Sequence, residues 1–314
     1  MPRLVAPEAT RRPEPAGTVD RQDCPLRQRP DIGSRTDVTG GERGHHGGVA
    51  ARAHARSRGP AHPDVFGVGS AVIGHRGLGC GVVAGHQQNT LGSFAAAVRS
   101  GARWLEADVR RLGDDVLVVA HDAAYPDDTR LEDVAAAEAD RRGTLRLGAL
   151  LDALPPHVGL NLDLKSSMGD SLRPPERTTA GLLAPVVAAE VARRPLMVSS
   201  FDPSALCFLR AAVPRVPLGL LTWYRFPVEM AVAACVHMDV EVLALHVGSL
   251  RGSGADGEID PDVLGGLLAV LHRCGRQLLV WCPEVASARF LVSAGTDAVV
   301  VDDLPEALVA LRAG

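Results

Sequence analysis

Six residues between positions 72 and 122 could together hold a metal, grip an oxyanion and move protons: His75, Arg76, Glu106, Asp108, His121 and Asp122. Glu106 and Asp108 stand two apart in the run 104–109, which reads as a strand, so both side chains point to one face. Leu105, Ala107 and Val109 then point to the other. Two neighbouring carboxylates raise each other's pKa, and a hard divalent cation with oxygen ligands removes that penalty. His75-Arg76 ends the apolar run 71–74, and His121-Asp122 ends the run 116–120. The planar fork of an arginine matches two oxygens of an oxyanion, and a histidine transfers protons near neutral pH. A second candidate strand, Asn161-Leu162-Asp163-Leu164-Lys165, puts Asp163 and Lys165 on a common face. Lys165 is the single lysine among 33 basic residues, in a chain that otherwise uses arginine.

Positioning these groups takes a repeating framework. From residue 65 onward strand and helix signals alternate. Strands are expected at 71–75, 103–109, 159–165, 196–201, 217–223, 240–247, 277–282 and 297–302. Helices are expected at 90–100, 178–193, 203–212, 227–237, 260–273, 285–294 and 304–312. Pro203, Pro227, Pro261 and Pro305 stand near helix starts, where a missing N–H costs nothing. The turn 112–115 is too short for a crossover, so 104–110 and 116–121 form a hairpin that returns His121 to the level of Asp108. The pattern predicts an α/β fold, a (β/α)8 TIM barrel with a β-hairpin extension after strand 2; a doubly wound open sheet is the alternative, because strand order is not written in the sequence. Residues 122–158 are too few for a substantial inserted domain. Residues 65–314 form the barrel domain. Residues 1–64 lack periodicity and are rich in Pro, Gly, Arg and His, which reads as a disordered tail or as a start placed upstream of a native one near Val65 or Val68.

Composition limits the partners. Residues 1–64 carry 11 arginines against 8 carboxylates, whereas residues 65–314 carry 22 basic against 29 acidic residues, a net of −7. An acidic body argues against nucleic-acid binding, which needs a basic face. The six cysteines include no C-x-x-C pair, so neither a zinc motif nor a redox motif is expected. Scattered thiols fit a reducing compartment, and there is no run of eighteen apolar residues. A cytoplasmic protein without stable membrane insertion is expected.

His-Arg-Gly at 75–77, Asn89-Thr90, Phe94, the run Gly101-Ala102-x-x-x-Glu106-x-Asp108-Val109 and Val118-Val119-x-His121-Asp122 resemble the glycerophosphodiester phosphodiesterase family. Ser199-Ser200-Phe201-Asp202 and the segment from Gly295 to Asp302 resemble its later strand-end motifs, although helix capping accounts for Asp202. The resemblance implies hydrolysis of a small glycerophosphodiester to glycerol 3-phosphate and an alcohol. It implies a divalent metal, Mg²⁺ or Ca²⁺, on Glu106, Asp108 and Asp163, and phosphate or substrate contacts from Arg76, Lys165 and Trp281. His75 and His121 would be general acid and base, in an order the sequence leaves open. It also allows internal attack by the glycerol 2-hydroxyl through a cyclic phosphate.

This sequence departs from the family pattern at four places. Gln87-Gln88 replaces Pro-Glu, and the loop 78–86 is longer. Asp163 stands where Glu is usual. Trp281-Cys282-Pro283-Glu284 replaces Trp-Thr-Val-Asn. Two rival functions follow: a phospholipase-type phosphodiesterase with an apolar rim at 80–84 and 223–230, or a barrel that binds a phosphorylated ligand without turning it over. His86 and His246 are expected to be polar loop or strand-end residues.

Overall fold

The computed structural model describes residues 64–252 and 257–312. The tail expected over residues 1–64 lies, Asp64 apart, outside the described residues.

Eight strands form the ring: β1 (Ala71–Gly74), β2 (Trp104–Arg111), β3 (Gly159–Leu164), β4 (Leu196–Ser200), β5 (Leu218–Leu221), β6 (Val242–His246), β7 (Gln277–Trp281) and β8 (Ala298–Val301). Each lies parallel to the next, and β1 pairs with both β8 and β2. The sheet is thus closed, a TIM barrel rather than an open sheet. Helices α1 (Leu91–Arg99), α2 (Leu147–Ala153), α3 (Thr179–Glu190), α4 (Pro203–Ala212), α5 (Val228–His237), α6 (Pro261–Arg273), α7 (Val285–Ser293) and α8 (Leu304–Arg312) follow the strands in turn. Helix α2 falls in the stretch 122–158, for which the sequence pattern predicts no helix. It is only seven residues long, and its buried face is Leu147, Leu150 and Leu151, too short a period to stand out.

The alternation expected for β2 decides the layers. Leu105, Ala107 and Val109 join the core between strands and helices. Trp104 joins Ile73, Met197, Leu221, Val242, Ala244, Leu279, Ala298 and Val300 in the lumen. On the same lumenal face, Glu106 and Asp108 rise toward the C-terminal end of the barrel, where such folds place their chemistry. At the opposite end Phe66 packs edge-on against Trp104 with ring centroids 5.4 Å apart, and the Val65 amide donates to Gln277 Oε1 at 2.8 Å. Gly159 makes room for this plug, since a Cβ there would lie 2.4 Å from the Trp104 ring.

Val65 and Phe66 are therefore part of the barrel, and a chain starting at Val68 would lack its floor. Removing residues 1–63 is expected to leave the melting temperature unchanged. Phe66→Ala should cost about 1–3 kcal/mol, below the range for a fully buried Phe, because the ring is only partly buried. Thermal melts of the two variants check both statements.

The hairpin forms as expected. Leu117–Val119 runs antiparallel to the end of β2, with Val109 opposite Val119. The Ala120 amide donates to the Asp108 carbonyl at 3.1 Å. A small core of Leu112, Val118, Leu131, Val134, Ala136 and Ala139 supports it.

Candidate active site

The end of β1 is a tight turn. A Cβ on Gly74 would lie 2.1 Å from the Gly77 carbonyl oxygen, so the turn that displays His75 and Arg76 requires glycine there. Arg76 itself sits in the left-handed region at φ +53°, a conformation that costs on the order of 1–3 kcal/mol and is held by its surroundings. Its amide donates to Glu106 Oε2 at 2.9 Å. Its guanidinium reaches Gln88 Oε1 at 3.0 Å and lies 3.2 Å from Asp108 Oδ2. Gln88 Oε1 also accepts from the Gly81 amide at 2.8 Å. The neutral side chain at position 88 thus ties Arg76 to the lengthened loop by hydrogen bonds alone.

The acidic residues come from two neighbouring strands. The β2–β3 register sets Asp108 opposite Asp163 and Glu106 opposite Asn161. Glu106, Asp108 and Asp163 are all buried, and one carboxylate oxygen of each lies within 4.8 Å of the others. Asn89 Nδ2 donates to Asp108 Oδ2 at 3.0 Å. Lys165 pairs with the Asp163 carboxylate and lies 3.1 Å from Asp108 Oδ1.

The three acids do not titrate alike. Burial, then the Asp108 charge, pushes Glu106 up to about 8. Burial outweighs Lys165 and lifts Asp163 to about 6. Burial would raise Asp108 too, but Lys165 and Arg76 more than offset it and hold it below the usual carboxylate range. The expectation that Glu106 and Asp108 raise each other is thus corrected for Asp108, which lies within reach of both Arg76 and Lys165. A cation fits this cluster on an observation independent of charge: Asp163 Oδ1 is buried without a hydrogen-bond partner, a rare condition for a polar atom. Converging carboxylate oxygens are the donor set of a hard divalent ion.

One consequence concerns stability. Without metal, Glu106 keeps its proton in the folded state up to about pH 8, whereas its ordinary value is 4.5. The folded state binds more protons between these limits, so its stability falls as pH rises through that window. Metal-free Glu106→Gln is expected to melt above the parent at pH 8 and close to it at pH 4. Saturating Mg²⁺ or Ca²⁺ should stabilise the parent more than the variant. Melts with EDTA and with metal check this.

His75 and His121 approach from different elements. His75 Nδ1 lies 2.5 Å from Asp302 Oδ1, and its Nε2 lies 3.9 Å from Glu106 Oε2. Burial would pull His75 down, but its hydrogen bond to Asp302, with Cys282 and Glu106 nearby, raises it well above the ordinary histidine value. Asp302 directly follows β8. Its carbonyl accepts from the Cys80 amide at 3.1 Å, a close approach that Gly79 permits because a Cβ there would lie 2.0 Å from that oxygen. His121 ends the hairpin with Nδ1 2.8 Å from Asp122 Oδ1, and its side chain is 37% exposed. Burial lowers its pKa; Asp108 opposes the shift, while Arg76 and Lys165 add to it.

Trp281 stands at the end of β7, edge-on to His246 at 4.4 Å and to Phe201 at 5.8 Å. Its Nε1 is buried without a hydrogen-bond partner. His246 Nδ1 accepts from the Gly248 amide at 2.8 Å, and burial pushes its pKa down to about 4. Its place is in the wall, as a strand-end polar residue. His86 lies in a short ribbon, Val82–Val83 against His86–Gln87. Asp202 caps α4 and accepts from the Ser204 amide at 2.9 Å, as expected. Glu284 is paired with Arg251.

A model of the glycerophosphoryl diester phosphodiesterase family matches residues 75–306. The chain belongs to that family. The match begins at His75 and takes in all eight candidate site residues, from both histidines to Trp281. The chain is thus an enzyme of a family that hydrolyses glycerophosphodiesters to glycerol 3-phosphate.

Solved structures share the fold. A phosphodiesterase of Oleispira antarctica, in complex with the product sn-glycerol-3-phosphate, has a TM-score of 0.62 at 22% identity, over 79% of this chain and 99% of that one. A glycerophosphodiester phosphodiesterase of Thermotoga maritima has 0.59 at 22%, over 77% and 98%. One from Agrobacterium tumefaciens has 0.57 at 19%, over 78% and 100%. Comparison with curated protein sequences gives no match. Among the described residues no helix is long and apolar enough to cross a membrane.

Proposed function

We propose that this phosphodiesterase cleaves small glycerophosphodiesters by general acid–base catalysis at His75 and His121, beside a divalent cation, Mg²⁺ or Ca²⁺, held by Glu106, Asp108 and Asp163. The observation that carries this reading is the convergence of two histidines, two cations and three buried carboxylates on the C-terminal end of one barrel. When bound, the metal polarises a phosphoryl oxygen and offsets developing negative charge.

The chain's own residues supply the remaining steps. Arg76 offers a planar pair of donors to the phosphoryl oxygens, and Lys165 adds a second fixed positive charge. Displacement at phosphorus takes a proton from the attacking hydroxyl and returns one to the leaving alkoxide. That calls for one neutral and one protonated imidazole at the same pH. The opposite shifts of His75, upward, and His121, downward, supply such a pair. Asp302 at Nδ1 orients the His75 ring and leaves Nε2 toward Glu106. The attacking group is either water or the glycerol 2-hydroxyl; in the second case a cyclic phosphate forms and water opens it. The half-buried Trp281 ring at the end of β7 would pack against the glycerol carbons.

A coupled assay for glycerol 3-phosphate released from glycerophosphocholine tests the proposal. Release that stops with EDTA and returns with Mg²⁺ or Ca²⁺ is expected. No release from any glycerophosphodiester with metal present would leave the ligand-binding reading instead.

A specific observation favours one second reading. Val82, Trp223 and Met230 are 66%, 54% and 61% exposed; Val82 lies in the ribbon after β1, Trp223 in the loop after β5 and Met230 in the first turn of α5, all flanking the candidate site. Such a rim suits a substrate still carrying an acyl chain. Co-sedimentation with phosphatidylcholine liposomes, together with turnover of a lysolipid in preference to glycerophosphocholine, would establish it.

A further inference from the structure

A second ligand set lies beside the acidic one. His75, Cys282 and Asp302 each offer a ligand atom within 4.8 Å of the others. They come from three adjacent parts of the ring, the ends of β1, β7 and β8. Cys282 Sγ is 3.8 Å from Asp302 Oδ1, and His75 Nδ1 is 2.5 Å from the same oxygen. The cysteine is held in place: its backbone is left-handed at φ +55°, and its amide donates to the Val300 carbonyl at 3.1 Å. A thiol here departs from the Thr that the resembled family pattern favours at this position.

We propose that His75, Cys282 and Asp302 form a site for a thiophilic divalent cation of the Zn²⁺ type, which inhibits the enzyme by taking His75. The site is chemically distinct from the carboxylate cluster. Thiolate and imidazole select Zn²⁺-like ions, whereas all-oxygen sets suit Mg²⁺ and Ca²⁺, so the two neighbouring sites sort cations by softness. Zinc bonds of about 2.0–2.3 Å to N, O and S in a tetrahedron put ligand atoms roughly 3.3–3.8 Å apart. The sulfur–oxygen separation already fits. The nitrogen–oxygen separation opens by about 1 Å as the proton between them is lost and the metal takes its place. Binding releases the thiol proton and the Nδ1 proton of His75. The ring then carries a metal where Asp302 had oriented it, and its proton transfer stops. Metal binding is independent of the proposed function; inhibition rests on it, through the role of His75.

The test uses the full chain, stripped with EDTA and reloaded with saturating Mg²⁺. Co²⁺ added as a spectroscopic probe is expected to produce a thiolate-to-metal charge-transfer band that Zn²⁺ abolishes by competition. Cys282→Ser should lack the band and Cys80→Ser should keep it. Absence of the band from the parent, or its survival in Cys282→Ser, overturns the site. At fixed Mg²⁺, Zn²⁺ should inhibit glycerol 3-phosphate release, with Cys282→Ser at least tenfold less sensitive; equal sensitivity overturns the inhibitory role. If no variant releases glycerol 3-phosphate at all, the proposed hydrolysis has failed, and the band still decides the site. Circular dichroism establishes that each variant is folded, and Cys282→Thr, the family's residue, replaces the serine variant if that one is not.

Discussion

His75→Ala is expected to lower turnover by about 10²–10⁴-fold, the usual range for a general acid or base, while leaving metal affinity intact. Its ring touches the acidic cluster only through Nε2, 3.9 Å from Glu106, and gives its other nitrogen to Asp302. His121→Ala should show a loss of the same order, although His121 sits on a different element and its pKa moves the opposite way. Asp302→Asn should fall between these variants and the parent. It keeps the contact to the ring but loses the charge that holds His75 high, so its pH profile should shift to lower pH on the limb that reports His75. Calorimetric titration with Mg²⁺ or Ca²⁺ separates the roles. Loss of metal affinity in His75→Ala would make that histidine a ligand rather than a proton carrier.

Asp163→Asn is expected to weaken metal binding by at least about 100-fold, the upper end of what loss of a ligand's supporting partner alone costs. One of three negative charges disappears, and the amide leaves a single neutral oxygen to serve both Lys165 and the ion, where the carboxylate has one for Lys165 and Oδ1, buried without a hydrogen-bond partner, for the ion. The change also leaves Lys165 with Asp108 as its remaining carboxylate in the cluster. Asp163→Glu should be far milder, because it restores the longer acid usual in the family. The two ions place different demands on the shorter side chain. Ca²⁺ accepts variable geometry at about 2.3–2.6 Å, whereas Mg²⁺ requires near-octahedral ligands at about 2.0–2.1 Å and keeps its waters. Comparing the affinity of both ions in the parent and in Asp163→Glu would show which arrangement the backbone has settled on. If Asp163→Asn bound metal and turned over substrate like the parent, Asp163 would be only the partner of Lys165, and the metal would rest on Glu106 and Asp108.

Much of the fold was legible because the barrel repeats one local rule. Strand alternation put Glu106 and Asp108 on one face and Leu105 and Ala107 on the other, and barrel closure made the first of these the lumenal one. Prolines marked helix starts, and a turn too short for a helix marked the hairpin. Helix α2 was invisible because three leucines over seven residues set no period. The approach of Asp163 to Asp108 was implied by the barrel only once β2 and β3 had a register, which the sequence does not state. The partner of His75 was harder still. Asp302 reads as one more acid at a strand end, and its meaning depends on β8 lying beside β1. Closure was the available signal: in a ring of eight, the residue after the last strand falls beside the residue after the first. The titration of Asp108 could not be read at all, because it depends on how Arg76 and Lys165 divide themselves among three acids.

Ring closure also has a kinetic side. His75 and Asp302 are 227 positions apart, and they meet only when the last strand docks against the first. Helices and neighbouring strand pairs rest on short-range contacts and can form early, whereas a contact of such long sequence separation carries the entropy of the whole intervening loop. During synthesis on a ribosome, a chain with seven strands finished would already carry its carboxylates and both histidines, yet its first histidine would still turn freely. Orientation of His75 would thus wait for β8 and the residue after it, and a chain cut short before β8 would be a nearly complete barrel with an unoriented histidine.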